Sequence, residues 1–382
     1  MSAKTLLCLL SEQRMQNIIP LFQRRMHFDR VVLLASEENG EISPRFAPVA
    51  NDIIKALSER FEVKLHRVPV DPMSPEHARK VCKEIIDCYD GPGQVTVNFT
   101  GGTKPMSIGA YLAGQECGAE LLYVDTQAEK FYYYKEGRKQ EVLFDLEPIG
   151  VELMLTAHRR QINHDATQKK ELSPAELRVA ELIFQQRCNS SFNSLRAMHI
   201  MRQQMVRHTN NPRIGRPLIK PNLWKKCPGL LEACIAEGFI DETLDDYCLN
   251  NAGFNFFNGS WLEAYVFLAL RKSDSFADVE ARVMIEGIEN ELDVACTLNA
   301  KLGVIECKTG KIGQNELNRL KALRETLGGV FSKSFLVVPY GKSRIPEQTR
   351  ARAEEYVSCL IDEEDLDQVE KIVRSEMLKT RR

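Results

Sequence analysis

Two runs that otherwise read as buried strands carry charged side chains at strand spacing. In "ELDVACTL", Glu291 to Leu298, alternation places Glu291 and Asp293 on one face and Leu292, Val294 and Cys296 on the other. In "GVIECK", Gly303 to Lys308, Glu306 and Lys308 share a face opposite Ile305 and Cys307. Unpaired carboxylates on an enclosed face are costly, so they call for a cation. A divalent ion such as Mg2+ or Mn2+ would satisfy them, activate water and stabilise the charge of a phosphodiester transition state. Lys308, roughly 6–7 Å along the strand from Glu306, is placed to neutralise phosphate charge or to position the water. The competing reading is structural: an edge strand with one solvated polar face, on which Glu306 and Lys308 pair with each other.

A second chemical signal lies near the other end of the chain. In "NFTGGTKPMSIGAYLAG", Thr100, Gly101, Gly102, Thr103 and Lys104 join a strand to a helix, with Pro105 near its first position. Two glycines allow a tight turn that presents backbone N–H groups, two hydroxyls add donors, and a helix N-terminus favours an anion. Phosphate is the expected ligand class; a plain Gly-Gly turn with a capping Thr is the alternative. Neither a G-x-G-x-x-G nor a G-x-x-x-x-G-K-[ST] pattern is present, which disfavours an ordinary dinucleotide or P-loop site. Ser11, Glu12 and Gln13 in "LLSEQRMQNI" also follow a strand and precede a helical pattern.

The elements that must position these residues differ along the chain. Over residues 1–150, the runs 5–10, 30–36, 62–70, 94–100 and 119–126 read as short strands, alternating with helical patterns at about 14–26, 48–61, 74–90 and 104–117. That order predicts a Rossmann-like parallel sheet covered on both faces, closed by a hairpin from "KFYYYKEG" and "EVLFDL". In such a sheet ligands bind at the carboxyl ends of the strands, where both loops fall. With Ser-Glu-Gln after its first strand and N-x-T-G-G-T-K after its fourth, this domain resembles the CARF domains of CRISPR-associated sensor proteins. The resemblance implies a homodimer that binds a cyclic oligoadenylate, commonly the tetramer, with both loops contacting phosphates and ribose.

Residues 151–250 read as a connector with a possible winged-helix-like module. Ser173 opens "SPAELRVAELIFQQR" with a capping pattern, further helical stretches follow, and "FIDETLDDYCL" predicts a short strand pair. Arg202, Arg207, Arg213, Arg216, Lys220, Lys225 and Lys226 form a local basic excess that reads first as a solvated loop and, as the alternative, as a surface that meets a phosphate backbone. From 251 to 382 the order is an amphipathic helix carrying Glu263, a strand at 277–286, the two acidic strands, a helix around 314–327, a strand at 334–340 and another helix. This resembles the PD-(D/E)xK restriction-endonuclease core. The resemblance implies that Asp293, Glu306 and Lys308 form the motif, with Asp293, Glu306 and Glu263 as metal ligands; Leu292 stands where the family has proline.

Composition sets the outer limits. The 382 residues are 43% hydrophobic and 27% charged, enough for two or three globular domains. A net charge of −2 means that any nucleic-acid contact is local rather than driven by the whole field. The 11 cysteines lack a C-x-x-C pair and read as reduced structural thiols. With no long apolar run and no secretory start, no membrane contact and a cytoplasmic location are expected. The joined architecture resembles the CRISPR ancillary nucleases of the DUF1887 group, which implies a metal-dependent nuclease for DNA, RNA or both, switched on by cyclic tetra-adenylate. Competing expectations are a DNA-processing nuclease with another nucleotide effector and a ligand-gated transcriptional regulator without enzymatic activity.

Overall fold

The computed structural model describes residues 3–379 apart from 90, 92, 188–193, 209–226, 228, 243–246, 288–290 and 328–330. The chain divides into two compact units, 1–161 with 380–382, and 162–379. Among the described residues no helix is long and apolar enough to cross a membrane.

In the first unit a seven-stranded sheet has the order β5-β2-β1-β6-β7-β8-β9. Its parallel part comprises β1 (Thr5–Leu9), β2 (Arg30–Leu34), β5 (Glu62–Leu65), β6 (Val95–Asn98) and β7 (Glu120–Asp125). β8 (Lys130–Lys135) and β9 (Arg138–Leu143) add the expected antiparallel hairpin, and β3 (Glu37–Glu38) with β4 (Glu41–Ile42) forms a minor one. All five residues of β1 are buried, as expected of a central strand covered on both faces.

The helices of this unit are α1 (Met15–Ile18), α2 (Ala47–Leu57), α3 (Pro75–Cys88), α4 (Lys104–Cys117) and α5 (Val151–Ala157). α4 starts where the Thr103 hydroxyl accepts the Met106 N–H. It lies so close to α3 that a Cβ at Gly109 would run into the Pro75 carbonyl. The helix expected over 14–26 is instead the single turn of α1 followed by a 3-10 turn, Ile19–Phe22, because Pro20 lacks the N–H that would continue it.

The second unit begins with α6 (His164–Lys170), α7 (Pro174–Gln185), α8 (Ser194–His208) and α9 (Leu230–Ala236), then the antiparallel pair β10 (Ile240–Glu242) and β11 (Tyr247–Leu249). Ser173 and Glu176 close a reciprocal capping box on α7. α10 (Asn251–Asn255) and a π-helical turn, Phe256–Ser260, lead into α11 (Trp261–Arg271), which is buried on most of its surface. A five-stranded sheet follows in the order β12 (Asp278–Met284), β13 (Glu291–Leu298), β14 (Lys301–Cys307), β15 (Ser332–Val337), β16 (Cys359–Ile361). α12 (Gln314–Leu327), α13 (Glu347–Tyr356) and α14 (Val369–Leu378) complete the unit. One continuous core runs from Val179 on α7 and Met198 on α8 through Trp261 and Tyr265 on α11 to Val294 and Ile305 in the sheet. The middle helices and the sheet therefore share a core.

Candidate functional site

Antiparallel pairing of β13 with β14 sets Val294 opposite Ile305, and one further step in that register places Asp293 opposite Glu306. The Cys307 N–H donates to Asp293 Oδ2 at 2.7 Å, which fixes the carboxylate at the end of the paired region. Burial first, and then the negative charges of Glu306 and Glu263, push the Asp293 carboxyl well above its ordinary range, against the Cys307 N–H that favours the ionised form. Glu306 is only 4% exposed. Its Oε1 meets the Arg319 guanidinium and lies 3.4 Å from Lys308 Nζ. Lys308 is also 4.0 Å from Glu316 Oε1, while Glu316 Oε2 accepts the Gly313 N–H at 2.7 Å.

Asp293, Glu306 and Lys308 are thus brought together. Glu263 stands within electrostatic reach, but its carboxylate accepts from Arg282 Nε at 2.8 Å, and Arg282 also bonds Glu176 at 2.9 Å. Burial raises the Glu263 carboxyl, with Arg282 opposing. Arg282 has a left-handed φ of +52° inside β12, where the ladder passes from Ala281↔Val294 to Val283↔Leu292. Such backbone costs of order 1 kcal/mol or more in a non-glycine residue, and it accompanies the turning of this guanidinium toward the two glutamates.

Among the described residues no three His, Cys, Asp or Glu side chains are arranged to hold a metal ion. The donor chemistry of Asp293 and Glu306 nevertheless suits a hard divalent cation: both offer carboxylate oxygens, and after burial the Glu306 charge is the next cause that raises Asp293. Arg282 occupies Oε2 of Glu263, so a metal contact from this residue would come through Oε1 or after the guanidinium has moved. Sequence patterns did not single out Arg282, Glu316 or Arg319. The available signal was the helix after Lys308, on which Glu316 and Arg319 sit three residues apart and so share a face.

Past Lys308 the chain turns through Thr309 and Gly310. The Thr309 hydroxyl donates to the Asn258 carbonyl, Arg202 Nε donates to the same carbonyl at 3.4 Å, and the Tyr340 hydroxyl donates to the Gly310 carbonyl at 2.6 Å. Arg344 Nη1 lies 3.2 Å from His199 Nε2, and the His199 ring is 5.8 Å from that of Tyr340. Of the basic residues marked in the sequence, Arg202 is here; the Arg207 side chain and Arg213, Arg216, Lys220, Lys225 and Lys226 lie outside the described residues.

Burial first, and then the charges of Arg344 and Arg202, push the His199 imidazole down to about 4. Its folded value lies below the ordinary 6.5, so the unfolded chain takes up the proton first as pH falls. The stabilisation is therefore complete above about pH 6.5 and is lost toward pH 4. Between pH 7 and pH 5 the protein should lose about 2 kcal/mol more stability than His199→Gln. Denaturant melts of both proteins at the two pH values check this, and equal losses would contradict it.

In the first unit the ends of β1 and β6 meet around a cleft of about 350 Å³. Ser11, Glu12, Gln13, Thr100, Gly101, Gly102 and Thr103 all line it, and Lys104, exposed, starts α4 beside it. Gly101 rests against β1, where a Cβ would run into the Leu9 carbonyl. The hydroxyls have internal partners: Thr100 donates to Asn98 Oδ1 at 2.6 Å and accepts the Val124 N–H at 2.7 Å, while Thr103 caps α4 and donates to the Pro72 carbonyl. Ser36, Arg45 and Phe46 also line the cleft, and Arg45 pairs with Glu12. These three follow the second strand, and nothing in their local pattern marked them; the fold brings them to the first loop.

Residues 5–148 match the Card1 CARF domain family, and residues 250–380 match the Card1-like endonuclease domain family. The fold is similar to that of protein VC1899 from Vibrio cholerae, with a TM-score of 0.74 and 16% identity over 97% of each chain. It is also similar to Can2 from Sulfobacillus thermosulfidooxidans, solved in complex with cyclic tetra-adenylate, with a TM-score of 0.69 and 19% identity over 98% of this chain and 97% of that one. A type III CRISPR defence DNA nuclease activated by cyclic oligoadenylate gives a TM-score of 0.54 at 15% identity, over 88% of this chain and 45% of that one. No curated protein matches the sequence.

Proposed function

From the premise that this chain is a CARF-fused nuclease, a Card1-type CARF domain followed by a Card1-like endonuclease domain, we propose that it hydrolyses nucleic-acid phosphodiesters with a divalent cation when cyclic tetra-adenylate fills the CARF cleft. The observation that carries the chemistry is the facing of Asp293, held by the Cys307 N–H, and buried Glu306 across the β13–β14 ladder, with Lys308 3.4 Å from Glu306. Asp293 and Glu306 would hold Mg2+ or Mn2+, with Glu263 as a third ligand through Oε1 or once Arg282 has moved. The ion supplies water activation and stabilisation of charge on the phosphoryl oxygens. Lys308, no longer needed to neutralise Glu306, is then free to meet a phosphate oxygen, and Arg319 takes over the orientation of the Glu306 carboxylate.

On the sensor side, the Gly101–Lys104 turn at the head of α4 offers an anion its helix N-terminus and the Lys104 charge, with Ser11 and Gln13 across the cleft. Arg45, held by Glu12, is a further phosphate donor. Can2's ligand is a ring of four like nucleotides, and such a ring is matched by a two-fold pair of identical loops, so the working unit is a homodimer. Exposed apolar residues beside the loop support this: Ile108 (53%) and Leu112 (37%) are one turn apart on α4, and Met73 (75%) follows Pro72, which Thr103 touches.

The test is incubation with plasmid DNA and with single-stranded DNA and RNA, with and without Mg2+ or Mn2+ and with and without cyclic tetra-adenylate. Cleavage that needs both metal and activator is expected. Cleavage indifferent to the activator would leave a nuclease with another effector, and tight DNA binding without cleavage would leave a regulator.

A further inference from the structure

We propose that Arg202 and Arg344 bind a backbone phosphate of the substrate next to the one that is cut, with His199 positioning Arg344; this deepens the nuclease reading and rests on it. Lys308 directly follows β14, which carries Glu306, and the turn after it is clamped from three sides. Thr309 is tied to the Asn258 carbonyl, Gly310 to Tyr340, and Arg202 donates to Asn258 as well. A Cβ at Gly310 would sit 3.0 Å from Arg202 Nη2, so the guanidinium lies directly on the turn, two residues from the lysine of the site.

The local construction explains how Arg202 is held there. Asn258 belongs to the π-helical turn Phe256–Ser260, where the regular i→i−4 ladder is interrupted, and its carbonyl takes the Thr309 hydroxyl and the Arg202 N–H. Arg344 approaches the same region from the 3-10 turn Lys342–Arg344. A guanidinium only donates, so His199 Nε2 must accept from Arg344, which places the imidazole proton on Nδ1 and keeps the ring neutral. A neutral ring fixes the guanidinium without cancelling its charge.

The charge balance marks this as an anion site. Arg282 and Arg319 face carboxylates, but among the described residues neither Arg202 nor Arg344 forms an ion pair with one. Both charges act on His199, so two cationic groups converge where no described counter-ion is paired to either. Burial bears on Arg202 as well, lowering its pKa with only Tyr340 opposing. Guanidinium groups bind phosphate bidentately, and a site beside Lys308 is reached most directly by the same strand that enters the acidic centre.

The experiment measures binding of labelled single-stranded DNA and RNA oligonucleotides to full-length protein with cyclic tetra-adenylate, in EDTA so that no cleavage occurs, across a series of KCl concentrations. Arg202→Gln and Arg344→Gln should each bind roughly tenfold more weakly. Each should also flatten the dependence of log K on log salt by about 0.7, the loss of one phosphate contact on a single strand. Arg202→Lys and Arg344→Lys, which keep the charge, should keep the parent's slope. Arg344 is exposed, so its variants test the site without disturbing the core. Weaker binding with an unchanged slope would mean the arginines are only structural ties, and unchanged binding would mean that they do not meet the substrate; either result overturns the proposal. If the parent cuts under activating conditions while the Gln variants keep its slope, this proposal alone falls; a parent that neither binds nor cuts takes the nuclease reading down with it.

Discussion

Asp293→Asn should remove nuclease activity and, in metal-free buffer, make the protein more stable. The asparagine keeps an oxygen for the Cys307 N–H and nearly the same volume, so packing is preserved. It removes the carboxylate whose pKa is raised by burial first and then by the charges of Glu306, Glu263 and Glu291. Relief of that burial cost and repulsion stabilises the fold by about 1 kcal/mol, a rise in melting temperature of roughly 2–4 °C. Loss of a metal ligand forfeits several kcal/mol of transition-state stabilisation, about 10³-fold in rate. Glu306→Gln should lose as much activity but gain no stability, because it leaves the Arg319 guanidinium and the Lys308 ammonium without their carboxylate. Lys308→Ala should slow turnover by about 10²-fold while keeping the metal-induced rise in melting temperature. Single-turnover rates and melts with and without Mn2+ read all three variants. Full metal-dependent cleavage by both carboxylate variants would place the site elsewhere.

The placement of Asp293 and Glu306 on facing strands was legible because strand alternation is a local property. Asp293, Glu306 and Lys308 declare themselves by breaking two apolar runs at period two, and Leu292 keeps the opposite face buried at 1% exposure. α4 was legible at both ends, since Thr103 and Pro105 start it and Gly118 follows its last residue. What escaped was tertiary. Arg282 on the neighbouring strand pairs with Glu263, the residue the resemblance implied as a metal ligand, through a left-handed backbone that no periodicity announces. Arg319 and Arg45 reach their sites from a helix and a loop whose placement depends on the whole sheet. The helices of 174–208 show amphipathic faces in sequence, but a face says that a side is buried and not against what; here it is the core shared with α11 and the acidic strands. The 14–26 helix failed for a local reason that was visible, Pro20, which outweighs the apolar spacing around it.

Substitutions in the loop before α4 should move the activator requirement and leave the acidic site alone. An effector shifts an equilibrium between two states of the protein only by its differential affinity for them, so weakening its contacts raises the concentration needed without altering the chemistry at saturation. Lys104→Ala removes one exposed ammonium from the head of the helix and should raise the half-maximal cyclic tetra-adenylate concentration about tenfold, with the maximal rate preserved. Gly101→Val should act far more strongly. Its branched side chain would be driven into the Leu9 carbonyl, so the turn must leave β1 and the cleft loses its floor, a shift of roughly 100-fold or more. In both variants the melting shift on adding Mn2+ should match the parent's, because Asp293 and Glu306 belong to the other compact unit. Activator titrations of cleavage rate, run beside metal titrations of melting temperature, separate the two sites. Should both variants respond at the parent's activator concentration, the sensor assignment of this loop is wrong, and the nuclease assignment of Asp293, Glu306 and Lys308 would have to find its switch elsewhere in the chain.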